Sequence, residues 1–186
     1  MKLVLGLGNI GPQYARTRHN FGFMVTEQLA ELHEANWQND DKFLAATAQF
    51  NLAGERIIVA QPHTMMNLSG EAAVRLANFY KIEPADTWLV FDDVDVPFGR
   101  LRLRRGGASG QQGVRSVTQH LGSGFMQARL GISLNDRTKE PSEVYVLKPF
   151  TEAEHQHLPA AIAQAARILT EQLAQAEPTE TTFDLI

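Results

Sequence analysis

The chain contains no cysteine among its 186 residues. That excludes disulfides, thiol nucleophiles and cysteine-ligated metals. No apolar run approaches the roughly 18 residues needed to cross a bilayer, so no membrane association is predicted. The N-terminal Met1-Lys2-Leu3-Val4-Leu5 is apolar, but no small-residue cleavage site follows it, so no secretory signal is predicted either. A cytoplasmic location is the simplest expectation. No His-Glu-x-x-His or comparable spacing occurs among the six histidines, and no metal is predicted. Repeats, low-complexity tracts and linkers are also missing, which leaves a single domain over residues 1–186.

One further absence is local. Residues 96–135 hold Arg100, Arg102, Arg104, Arg105, Arg115 and Arg129 and no acid at all. The chain as a whole carries a net charge of −4. Most of that excess lies beyond residue 150, where six acids face only Arg167. The basic window is either an anion site, phosphate being the obvious ligand, or a solvated face beside an acidic helix.

What is present alternates between strand and helix patterns. Residues 2–7 read as a buried strand, 20–34 as a helix with Phe21, Val25, Leu29 and Leu32 on one face, and 42–52 with 56–61 as a hairpin. A helix is predicted over 68–80 and short strands over 88–91, 100–104, 128–133 and 144–147, with another helix near 113–121. Thr151-Glu152-Ala153-Glu154 fits a capping box opening a last helix, and the end from Pro178 is expected to fray. The expected fold is therefore α/β: a single domain with a mixed, mostly parallel twisted sheet flanked by helices.

Five segments carry candidate chemistry. Gly6-Leu7-Gly8-Asn9-Ile10-Gly11 fits a dinucleotide fingerprint, but Pro12 follows at once and the helix waits until about Asn20, which disfavours a Rossmann turn. His19, in Thr17-Arg18-His19-Asn20, stands between that loop and the helix. From position alone it reads first as a loop or capping histidine, and only second as a catalytic one. Asp92-Asp93-Val94-Asp95 closes an apolar strand, where a carboxylate costs free energy unless partnered. A carboxylate at Asp92 could hold a histidine in one tautomer and support its protonated form, the alternative being a solvated acidic turn. Asn67, before an apolar helix, reads first as an N-cap. Alternation along Arg100-Leu101-Arg102-Leu103-Arg104 sets three arginines on one face about 6–7 Å apart, beside a glycine loop at 106–113, a plausible backbone-phosphate clamp.

In this order the segments resemble the bacterial peptidyl-tRNA hydrolase family. The resemblance rests on Gly6-Leu7-Gly8-Asn9-Ile10-Gly11 with Tyr14, on Thr17-Arg18-His19-Asn20, on Met66-Asn67-Leu68-Ser69-Gly70 and on Asp92-Asp93-Val94-Asp95. It implies a monomeric, cofactor-free hydrolase whose partner is peptidyl-tRNA. Carried over by position, His19 is the general base, Asp92 holds it, and Asn9 and Asn67 supply amides to the ester region and terminal nucleotide. Tyr14 and Met65 line the channel, and Arg104 and Arg129 grip the tRNA 5′ phosphate. The family's glycine loop usually ends Gly-His-Asn-Gly, whereas here it reads Gly110-Gln111-Gln112-Gly113, so Gln112 offers its amide one methylene further out. Ile10 stands where proline is common, and residues 134–148 depart as well. Two other functions stay open: a non-catalytic RNA- or protein-binding relative that keeps the cleft, and, more remotely, an NAD-binding enzyme.

Overall fold

The computed structural model describes residues 1–106, 109–133 and 140–186. Gly107 of the glycine loop and part of the divergent 134–148 stretch fall outside them. Eight strands form one mixed sheet in the order β2-β3-β4-β1-β5-β7-β6-β8. Its centre is parallel: β1 (Lys2–Gly6) lies between β4 (Glu55–Pro62) and β5 (Thr87–Pro97), and β5 pairs with β7 (Met126–Ser133). Strands buried on both faces need apolar residues at every position, which is why β1 and the start of β5 read as continuous runs rather than alternations. Antiparallel strands flank the centre: β2 (Gln38–Asp40) and β3 (Ala45–Leu52) on one side, β6 (Arg100–Arg105) and β8 (Thr182–Asp184) on the other. The β3–β4 hairpin turns through Ala53 and Gly54, both at positive φ as a type I′ turn requires.

Helices cover both faces. On one side α1 (Phe21–Leu32) packs with α5 (Glu152–Leu173) over Val4, Val90, Leu101 and Leu130. On the other, α2 (Ser69–Tyr80) packs with α3 (Gln112–Leu121) over Leu3, Leu5, Leu89 and Phe91. The capping box forms as its spacing predicts: Glu154 N–H donates to the Thr151 hydroxyl, and Thr151 N–H donates to Glu154 Oε2.

Two expectations fail. Residues 144–147 are not a strand. Ser142–Tyr145 forms a short helix, α4, and Tyr145 and its neighbour Val146 are both buried. So short an apolar run does not discriminate between the two periods. The C-terminus does not fray. β8 pairs with β6, Leu185 N–H donates to Gly99 C=O, and the Leu185 side chain enters the core.

Candidate active site

β1 ends at Gly6 opposite Val90, β5 runs on beyond it, and the loop after β1 and the C-terminal part of β5 line a cleft of about 340 Å³. Ligands collect at such ends in open α/β sheets. Asp92, 2% exposed on β5, accepts at Oδ2 from His19 Nδ1 at 2.9 Å. With Nδ1–H donated to a carboxylate, the neutral imidazole presents its lone pair at Nε2 to the cleft that His19 lines. His19 sits in a 3-10 turn, Arg18–Asn20, leading into α1.

That turn is held at several points. His19 N–H donates to Val146 C=O, and Arg18 N–H to Lys148 C=O. The Arg18 guanidinium pairs with buried Glu154 at 2.6 Å, donates to Pro149 C=O at 2.6 Å and lies 4.4 Å above the Tyr145 ring. Asn20, rather than capping α1, turns its amide onto the backbone of Asn9, accepting from its N–H and donating to its C=O at 2.9 and 3.0 Å. Asn9 Oδ1 accepts from Met66 N–H at 2.7 Å. Asn9 is thereby fixed through its backbone and its carbonyl oxygen. Its Nδ2 has no partner among the described residues, and the residue lines the cleft.

The glycine motif serves packing. A Cβ on Gly6 would lie 2.4 Å from Thr26 Oγ1, and one on Gly8 would lie 2.8 Å from the Phe23 ring. The two glycines let α1 lie close against β1 and the loop that follows it, which accounts for them without a dinucleotide.

A sequence profile described as peptidyl-tRNA hydrolase matches residues 3–184. The chain belongs to the peptidyl-tRNA hydrolase family. It is 41% identical over 169 residues to the peptidyl-tRNA hydrolase of Listeria innocua, covering 89% of this chain and 90% of that one. It is 42% identical to that of Mycobacterium sp. strain KMS, covering 88% and 86%. The crystal structure of the Acinetobacter baumannii peptidyl-tRNA hydrolase superposes with a TM-score of 0.86 at 35% identity, covering 94% of this chain and 89% of that one.

Of the residues singled out by the family resemblance, Asn9, His19, Met65, Asn67, Asp92, Gln112 and Arg129 converge on the cleft. Asn67 does not cap α2. It lies within the 3-10 turn Met66–Leu68, and the cap position falls to Leu68. Tyr14 is half-buried in the preceding turn, where its carbonyl accepts from Thr17 N–H and Oγ1, and it does not line the cleft. The arginines of the acid-free window separate. Arg129 forms a buried ion pair with Asp93, Arg100 pairs with Asp184, and Arg105 donates to the carbonyls of Ala85 and Gly124. Arg104 is exposed on β6 and carries no ion pair among the described residues. No group of three or more His, Cys, Asp or Glu is placed to hold a metal among the described residues, and no helix there is long and apolar enough to cross a membrane.

Sequence reasoning missed three participants. Asn20 stood inside a motif already singled out, but nothing local showed that its amide would pair with Asn9. The Arg18–Glu154 pair joins residues far apart in the chain. Gln111, passed over in favour of Gln112, is the N-cap of α3: its Oε1 accepts from Val114 N–H at 2.9 Å, and its Nε2 donates to Asp92 Oδ1 and to Met66 Sδ, both at 3.1 Å.

Proposed function

We propose that this chain hydrolyses the ester joining a peptide, or an N-blocked amino acid, to the 3′ end of tRNA, with His19 as general base. The observation that carries the mechanism is the buried Asp92–His19 pair with its free Nε2 on the cleft, beside the unpartnered Asn9 amide. His19 Nε2 takes a proton from water as the oxygen attacks the ester carbonyl. Asp92 keeps the ring oriented and stabilises the imidazolium that forms. Asn9 Nδ2 donates to the carbonyl oxygen as it gains negative charge, and fixed donors of this kind do most where water is scarce. The tetrahedral intermediate then expels the tRNA 3′ oxygen, which takes its proton back from His19. General-base assistance is worth about 10²–10⁴ in rate.

Asn67, Met65 and Gln112, exposed along the cleft, are proposed to receive the terminal nucleotide and the first peptide residues. Arg104 is the proposed contact for the tRNA 5′ phosphate, while Arg129, paired with Asp93, lines the cleft. The enzyme is proposed to act as a monomer in the cytoplasm, where peptidyl-tRNA is formed.

The test is single-turnover hydrolysis of an N-blocked aminoacyl-tRNA, with unblocked aminoacyl-tRNA and the His19→Ala protein as controls. Release of the blocked amino acid by the wild type alone is expected, with tRNA binding retained in His19→Ala. Equal release by His19→Ala would remove His19 from the mechanism. Binding without release by the wild type would make the chain a non-catalytic relative.

A further inference from the structure

We propose that Gln111 is a positioning residue for the reaction: its side-chain amide fixes the Asp92 carboxylate so that Oδ2 stays on His19. The inference rests on the hydrolase mechanism above and adds a residue to it. A carboxylate turns readily about its last torsion, because that torsion has broad, roughly two-fold wells. Buried Asp92 has two donors among the described residues, His19 on Oδ2 and Gln111 on Oδ1. Without Gln111, one buried oxygen loses its only donor and the carboxylate gains freedom to swing.

Gln111 is itself immobile. Val114 N–H takes its oxygen, and Asp92 with Met66 Sδ takes its NH2 group, so only one orientation of the amide satisfies all three. Its backbone N–H donates to Ser109 Oγ at 3.2 Å. One side chain thus caps α3 and braces the general base through Asp92. Met66, which touches the same amide, donates its N–H to Asn9 Oδ1, so the proposed oxyanion donor and the proposed base are set by one connected group. Where the family usually has histidine, this chain has an amide, whose two N–H donors are present at every working pH.

Two substitutions separate bracing from capping. Gln111→Ser leaves a good N-cap that cannot reach Asp92. Gln111→Glu is nearly isosteric and can still accept from Val114 N–H, but it sets an acceptor and a second negative charge against Asp92. The measurements are kcat and KM on an N-blocked aminoacyl-tRNA, thermal melting, and the NMR resonance of the His19 Nδ1 proton. Gln111→Ser is expected to melt near the wild type and keep its KM, while kcat falls about ten-fold, equivalent to ~1.4 kcal/mol in the barrier, and the His19 proton signal broadens. Gln111→Glu is expected to fall further, and it carries the test alone if the serine variant does not fold. A kcat within about two-fold of wild type in both variants overturns the proposal. So does a loss confined to KM, or a fall in kcat with an unchanged His19 signal. A wild type without turnover would instead refute the hydrolase mechanism, and the NMR comparison would still decide whether Gln111 holds Asp92.

Discussion

Glutamate 154 offers a sharp quantitative test of how the site is held. Its side chain and that of Arg18 are each 3% exposed. Glu154 Oε2 accepts from Arg18 and from the Thr151 amide and hydroxyl, while Oε1 and Arg18 Nε are buried without a hydrogen bond. A buried pair satisfied this unevenly adds little net stability over an apolar pair of the same size, yet breaking it strands a charge at a cost of about 3–5 kcal/mol. In Glu154→Gln the Pro149 carbonyl and the Tyr145 ring still face Arg18, so the lower end, about 3 kcal/mol, is expected. For a chain of this length that is a fall of about 6–12 °C in melting temperature, at 2–4 °C per kcal/mol. Arg18→Met should cost a comparable amount by stranding Glu154, whereas Arg18→Met with Glu154→Leu should return to within about 1 kcal/mol of wild type. Urea unfolding of the three variants, with unchanged m-values, measures this directly. A loss under about 1 kcal/mol in Glu154→Gln, or additive losses in the double variant, would refute the reasoning.

Further outcomes follow for Arg104, Arg129 and His33. Arg104→Ala should weaken tRNA binding and make the dependence of log K on log salt shallower by about one unit, as loss of one phosphate contact requires. Arg129→Ala should instead lower the melting temperature, because it strands buried Asp93; binding titrations across salt concentrations and a thermal melt distinguish the two. His33, stacked on Phe50 with centroids 3.9 Å apart and bonded to Thr170, has its pKa pushed below the usual 6.5 by burial. The unfolded chain therefore binds the proton more readily, and stability is lost as pH falls through about 6.5. Urea midpoints from about pH 5 to 8 should show this decline, and His33→Gln should flatten it.

The parts legible in the sequence are those whose cause is local. The continuous apolar run of β1, the turn at Ala53-Gly54 and the Thr151–Glu154 capping box each depend on a few neighbouring residues. The Gly6-Leu7-Gly8 motif was visible, but its purpose was not, since Thr26 and Phe23 arrive only when α1 folds back. The charge pattern misled for the same reason. Asp93 lies just outside the acid-free window, yet the β5–β7 pairing carries it onto Arg129. The contact of Gln111 is not legible locally, because its partner Asp92 lies on β5, distant in the sequence. The acidic tail read as loose because a strand of three residues shows its nature only beside the strand it joins.

That terminal strand bears on how the protein is made. β6 meets β7 soon after it is synthesised, but its other edge stays open until β8, which follows β7 in the chain, reaches it. In the interval a nascent chain presents an unpaired edge, the feature by which sheets recruit strands from their neighbours. The alternating arginines on that edge are gatekeepers suited to the wait, because cationic side chains repel a second copy of the same strand. Charges that read in the sequence as a phosphate ladder would thus discourage a growing polypeptide from pairing with its siblings on the polysome until β8 closes the edge.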